Sequence, residues 1–354
     1  MGTILALDLG KFKTVACWYD VGGGNTRFQT TLSNRAELRE LITAQAVELI
    51  VFEACTLAGW VFDLCRDLKV KAQVANTNGE AWKWKNVKRK TDRDDALKLA
   101  KMAALGQLPA VRLPAKAVRE KRALLSYRQG LVGRRVAVQN RLRAVLLGQG
   151  LAAPRGHRAW TRLGLDGIAQ FAQPLADCPA EELWRGELDL ALTELRHLLE
   201  LIDQVEKKLD ALAQTDPAVQ LLQTIPGVGP RTAETVAAYL DQAQRFDNGR
   251  QVSAYAGLVP RQFQSGESDR KGRITRRGPG LLRKMLVECA WIMLRYNAWA
   301  VRLVERISKG QRTRKKQAVV ATARKLLVRM WAMLRDGTAW RADKPPALAA
   351  SPAA

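Results

Sequence analysis

The sequence predicts an α/β domain built on a mixed sheet, followed by a long helical remainder, and three observations carry that prediction. Over residues 3–75, short β-branched or aromatic runs alternate with helical segments in the order βββαβαβ. Between about 116 and 213, apolar residues recur every seven positions. Beyond 216 the chain breaks into shorter apolar helices punctuated by Pro and Gly.

Residues 3–7, 13–19 and 26–32 read as strands, with Gly22-Gly23-Gly24 as the turn between the last two. A helix is predicted from 33 to about 45, with Asn34 as its N-cap and Glu37 at capping-box spacing. Residues 48–53 form a continuous apolar run (Leu49, Ile50, Val51, Phe52), the pattern of a strand buried on both faces. Residues 59–68 then read as helix and 70–75 as strand. The cationic run Lys88-Arg89-Lys90 switches to Asp92, Asp94 and Asp95, which open a helix carrying Leu97, Leu99, Ala100 and Ala103. Thr91 suits its N-cap, and carboxylates suit the positive end of a helix dipole. Leu113-Pro114 closes this first domain, 1–114.

A coiled-coil region, 115–215, follows. Its first helix, 116–147, repeats Leu124, Leu131, Val138 and Val145. Its second, 180–213, repeats Leu188, Leu195, Ile202 and Leu209 beside Leu198, Val205 and Leu212, and a Pro/Gly-rich interruption, 148–179, separates the two. Such heptads fit an antiparallel pair or an intermolecular coiled coil. The first helix also carries Arg128, Arg134, Arg135, Arg141 and Arg143, free to pair with the acidic second helix or with a nucleic-acid backbone. In the third domain, 216–342, Pro226-Gly227-Val228-Gly229 lies between apolar helices, a helix-hairpin-helix pattern. Gly227 and Gly229 would let backbone N–H groups approach a phosphate. The tail, 343–354, reads as disordered.

Charge narrows the function. The chain has 354 residues and a formal charge of +24, from 58 Lys and Arg against 34 Asp and Glu. That surplus calls for a polyanionic partner, with nucleic acid first. No run approaches the roughly 20 apolar residues of a membrane span, and the first residues lack the pattern of an export signal. Five scattered cysteines without CxxC spacing, and two histidines, argue against zinc and for a reducing cytoplasm. A metal here would be a hard one on oxygen ligands.

Asp8 ends the first strand and Glu53 the buried fourth, while Asp92 and Asp95 share a helix face at i and i+3. Strand ends in such a sheet are where ligands sit, so these acids could converge. Two cations on such a cluster can bridge the attacking and leaving oxygens of a phosphoryl transfer. Just before them, Trp82-Lys83-Trp84-Lys85 and Lys88-Arg89-Lys90 interleave rings with cations, which suits stacking on bases and pairing with phosphates. Between 261 and 316, 16 Lys or Arg face four acids, among them Arg273, Arg276 and Arg277. A DNA strand would be drawn in there.

The first domain resembles the RNase H-like, RuvC-type nucleases, and Lys90-Thr91-Asp92-x-x-Asp95-Ala96 is similar to the DEDD transposases. These form the insertion-sequence "one-ten" family, which includes Piv-type DNA invertases. The resemblance implies that Asp8, Glu53, Asp92 and Asp95 bind Mg²⁺ (or Mn²⁺), with Asp94 outside the pattern. Gly257-Leu258-x-Pro260, then Ser265-Gly266 and Gly272-Arg273-Ile274-Thr275, is similar to the family's C-terminal transposase domain. There the resemblance makes Ser265 the nucleophile, with Ser268 as second choice. It further implies a recombinase forming a phosphoserine link, acting on double-stranded donor and target DNA, guided by an element-derived RNA and working as a dimer or tetramer. The alternatives are a Piv-type invertase, a hydrolytic junction nuclease that needs the acids but not Ser265, and a non-catalytic nucleic-acid-binding protein. The segment Asp8-Leu9-Gly10-Lys11 also looks like a phosphate loop of actin-like kinases, but no second glycine-rich loop accompanies it.

Overall fold

A computed structural model describes residues 2–76, 91–152, 155–266 and 268–341. The chain divides into two compact units, 1–119 and 120–354. In the first, strands β1 (Thr3–Leu9), β2 (Lys13–Asp20), β3 (Thr26–Leu32), β4 (Leu49–Glu53) and β5 (Ala72–Ala75) form one sheet in the order β3-β2-β1-β4-β5. β2 is antiparallel to β1 and β3, whereas β1, β4 and β5 are mutually parallel neighbours, so the sheet is mixed as predicted. The Asp20 carboxylate accepts from the Gly22 and Gly23 N–H groups at 3.1 and 2.9 Å, and Gly24 takes φ +70°, which closes the predicted glycine turn.

Three helices, α1 (Arg35–Thr43), α2 (Ala58–Asp67) and α3 (Asp92–Ala104), cover both faces of the sheet. Leu5, Leu7, Ile50 and Phe52 pack with Leu38, Leu41, Val61 and Leu64 of α1 and α2. The alternate residues Ile4, Ala6 and Val51 pack with Ala96, Leu99 and Ala100 of α3. Two covered faces are why β1 and β4 are apolar at nearly every position. Asn34 caps α1 by accepting from the Glu37 N–H. The reciprocal half of the capping box is not made: the Glu37 carboxylate accepts instead from the Thr31 hydroxyl at 2.8 Å, tying the helix to β3. At the unit's end Arg119 donates to the Pro114 and Gly59 carbonyls and pairs with the buried Asp63.

In the second unit, α4 (Lys116–Gly148) and α6 (Leu183–Gln214) run antiparallel from residue 120 onward, with Arg128 paired to Glu206 and Arg141 to Glu187. Leu131 and Val138 meet Leu188, Leu195, Leu198 and Ile202 along the seam. The heptads are therefore filled within one chain, which resolves the open choice between an internal pair and an intermolecular coil. The α4 stripe is wider than the predicted repeat, because Leu125, Leu142 and Leu146 are buried while Val145 is only partly so. The stretch read as a plain interruption holds α5 (Arg162–Ala169) and a 3₁₀ turn at Gly156–Trp160, with Ile168 and Trp160 packed on the helix pair. Its Gly164 and Gly167 masked an apolar face too short to stand out from its breakers.

The remaining chain forms α7 (Pro217–Gln223), α8 (Pro230–Leu240), α9 (Gly249–Tyr255), the hairpin β6 (Pro260–Ser265) and β7 (Ser268–Ile274), α10 (Gly280–Tyr296), α11 (Ala298–Ser308) and α12 (Lys315–Asp336). One apolar core runs through the helices, centred on Leu222, Val236, Leu286, Met293, Leu326 and Met330. Among the described residues no helix is long and apolar enough to cross a membrane, and the five cysteines form no disulfide.

Candidate active site

Strand register brings two of the predicted acids together. Leu7 of β1 pairs with Phe52 of parallel β4, so Asp8 and Glu53 follow side by side at the same end of adjacent central strands. Asp8 is in phase with Ile4 and Ala6, and Glu53 with Val51, so both belong to the face that α3 covers. Ala96 lies four residues after Asp92, and Leu99 four after Asp95. Both are buried against that face, which sets Asp92 and Asp95 on the sheet-facing side of the first turn of α3. Asp8, Glu53 and Asp95 are half-buried and Asp92 is exposed. All four predicted acids thus share one sheet face.

Asp94 is engaged differently. Its N–H donates to the Thr91 hydroxyl at 3.2 Å, and its carboxylate accepts from that hydroxyl at 2.6 Å. This is the helix cap expected of Thr91, completed by the one first-turn acid that the family pattern does not use. Among the described residues, no three His, Cys, Asp or Glu side chains already stand close enough to hold a metal ion. The donor set nonetheless fits a hard cation, being carboxylate throughout. Mg²⁺ in particular takes one or two carboxylates and completes its shell with water and substrate phosphate.

In the second unit Ser265 is the last residue of β6, directly opposite Ser268 of β7, with Gly266 at φ +54° in the tight turn between them. Ser265 thus stands on an exposed two-stranded hairpin within an otherwise helical domain. Cross-strand pairing puts Phe263 and Arg270 opposite each other on the same face as Ser265 and Ser268, and Phe263 is 60 % exposed. The alternation Arg261-Gln-Phe263-Gln-Ser265 was the available signal for this face, and composition alone passed over it. Among the described residues no carboxylate or histidine accepts a hydrogen bond from the Ser265 hydroxyl.

The hairpin's base is fixed by close backbone contact. Gly257 at φ +65° and Gly278 at φ +86° leave no room for a side chain: a Cβ would lie 1.9 Å from the Arg277 carbonyl oxygen and 2.0 Å from that of Tyr255. Arg283 donates to the carbonyls of Ala256, Arg277 and Gly278 from beneath. Arg273, Arg276 and Arg277 are exposed around this stem. Of the other predicted contacts, Trp82, Lys83, Trp84, Lys85, Lys88, Arg89 and Lys90 lie outside the described residues. Gly227 packs against α10, where a Cβ would approach Met293 to 3.0 Å, and Asn297 donates to the Pro226 carbonyl at 3.1 Å. Gly229, exposed at the N-terminus of α8, has open space around it.

Residues 5–149 match the DEDD transposase family, and residues 219–306 match the transposase IS116/IS110/IS902 family. The transposase for insertion sequence element IS1111A from Coxiella burnetii is 30% identical over 347 residues, covering 96% of this chain and 91% of that one. The transposase for insertion sequence element IS1328 from Yersinia enterocolitica is 34% identical over 61% of this chain and 63% of its own. The pilin gene-inverting protein of Moraxella lacunata is 33% identical over 40% of this chain and 46% of its own.

Proposed function

Since the chain belongs to the IS116/IS110/IS902 family of transposases, we propose that it cuts and rejoins DNA through Ser265, with Asp8, Glu53, Asp92 and Asp95 holding a divalent metal. In this reading the Ser265 Oγ attacks a DNA phosphate, its proton passes to a base, and the bond to the leaving strand's sugar oxygen breaks. The phosphodiester energy stays in a protein–DNA phosphoserine link. Attack on that link by a hydroxyl of another strand frees the serine and joins new ends without ATP. Bound Mg²⁺ (or Mn²⁺) would neutralise charge on the phosphoryl oxygens and make a coordinated hydroxyl more acidic. The carboxylates' own part is to fix that charge at the open end of the β1–β4 pair. Around Ser265, Arg270 would pair with the phosphate and Phe263 would stack on a flanking base.

The observation that carries this reading is the sharing of one sheet face by Asp8, Glu53, Asp92 and Asp95, which come from three separate elements. The resemblance implies guidance by an element-derived RNA, which the +24 charge permits, with the protein supplying backbone contacts more than base readout. An oligomer would use surfaces other than the heptad seam, which α4 and α6 fill between themselves. A Piv-type invertase is the second reading, favoured by the match to the pilin gene-inverting protein. It would use the same chemistry on an invertible segment.

The test is incubation of the full chain with donor and target duplexes, element-derived RNA and Mg²⁺, followed by denaturing gels for a covalent adduct. Wild type and Ser268→Ala should form it and Ser265→Ala should not. Undiminished cleavage by Ser265→Ala would sink the serine mechanism. Adduct formation without RNA would remove the guide. Rejoining confined to a substrate with inverted sites would favour the invertase.

A further inference from the structure

Behind the serine hairpin, α9, α11, α12 and the start of β6 enclose a cleft of about 1180 Å³. Arg250, Arg306, Arg324, Lys325 and Arg329 line it, and among the described residues no carboxylate does. Several cations elsewhere in the same unit are neutralised. Lys121 pairs with Asp216, Arg128 with Glu206, Arg141 with Glu187, and Arg231 with Asp210 and Glu234. Arg250, Arg306, Arg324 and Lys325 make no ion pair among the described residues. Arg329 is held in place by two rings, 4.8 Å from the Trp299 centroid and 4.7 Å from that of Trp340. A cleft with walls of one charge focuses its field, and gathering like charges there costs folding energy unless an anion occupies it.

Gln262 of β6 also lines the cleft, from the hairpin face opposite Ser265, which stands at the turn three residues further along, about 10 Å away. That is about the axial rise of three base pairs of a B-form duplex. We propose that this cleft binds the phosphodiester backbone of the substrate DNA and holds the strand leading to the phosphate that Ser265 attacks. The proposal rests on the DNA-processing reading and adds to it a second phosphate-binding site, separate from the carboxylates. Arg324 and Lys325, adjacent on α12, supply charge along the strand, and Arg250 and Arg306 face them across the cleft.

The experiment measures anisotropy of a fluorescein-labelled duplex of arbitrary sequence, its single strands and an RNA copy, across a salt series, with the full chain. Arg324→Gln combined with Lys325→Gln should lower the slope of log K against log salt by about 1.8 and weaken DNA binding by about 50-fold at ~0.1 M salt. Arg250→Gln, on a separate element, should lower the slope by about 1. Arg196→Gln with Lys208→Gln, both exposed on α6, should leave it unchanged. Melting of the cleft variants should hold or rise, since like charges have been removed. A slope unchanged in both cleft variants overturns the proposal, as does a loss confined to RNA. The adduct assay run alongside separates the two claims. A normal adduct with an undiminished slope removes the cleft alone; no adduct from wild type, with the slope lowered in the cleft variants, removes the serine reading alone.

Discussion

Asp94 and its neighbours Asp92 and Asp95 offer the sharpest test of why this helix begins with carboxylates. If all three merely favour the helix dipole, neutralising any of them should cost stability alone, typically 0.3–1 kcal/mol each. The structure separates them instead. Asp94 carries the Thr91 cap, with its carboxylate 2.6 Å from the Thr91 hydroxyl. Asp94→Ala should lose that hydrogen bond and the dipole contribution together, about 1–2 kcal/mol, seen as a fall in Tm of the first unit by several degrees. Adduct formation with DNA should stay within about twofold of wild type when measured well below that Tm. Asp92→Asn and Asp95→Asn, which keep the side-chain shape, should shift stability by less than about 1 kcal/mol yet reduce adduct formation at least ~100-fold, because a metal-holding charge is lost. The assays are calorimetric melting and single-turnover adduct formation in Mg²⁺. Activity lost in Asp94→Ala and kept in the other two would refute the assignment of the cap and the metal site.

Glu234 is fully buried, and burial pushes its carboxyl up to about 7 despite the Arg231 guanidinium 3.1 Å away. Because the folded pKa exceeds the ordinary glutamate value, its stabilising contribution is complete below about pH 4.3 and is lost as pH rises through 7. Relative to Glu234→Gln, wild type should therefore lose about 3 kcal/mol between pH 4 and pH 8, measured as a widening Tm difference; parallel curves would refute this. Gly257→Ala should cost more than about 3 kcal/mol, since its φ of +65° and the Arg277 carbonyl both oppose a side chain, and limited proteolysis should open the 260–274 hairpin first. Arg119→Ala should cost about 2–3 kcal/mol by leaving the buried Asp63 only the longer, exposed Arg66 contact at 3.6 Å, and chemical denaturation should show it in the first unit.

Much of the first unit was legible because its signals are local. The apolar run 48–53, the glycine turn after Asp20 and the Asn34 cap each depend on residues within a few positions, and each appears where it was read. Glu37 departs from expectation for a tertiary reason: Thr31 of a neighbouring strand competes for its carboxylate. The hairpin around Ser265 went unread because neither strand has an apolar face; β6 is exposed along its whole length. Without burial, period-two alternation has little hydrophobic contrast to reveal it.

The sequence by itself determined the element types of the first unit, the basic character, the order of the four acids and the serine segment, because each is a matter of residue identity and short-range spacing. Only the tertiary structure decided that Leu7 pairs with Phe52 and so sets Asp8 beside Glu53, and that α3 covers that same face. It alone closed the heptads within one chain, and it alone collected Arg250, Arg306, Arg324 and Lys325 around one cleft. Register, helix partnership and cleft walls join residues tens to hundreds of positions apart. Their energies depend on which surfaces are buried together, and linear spacing does not encode that.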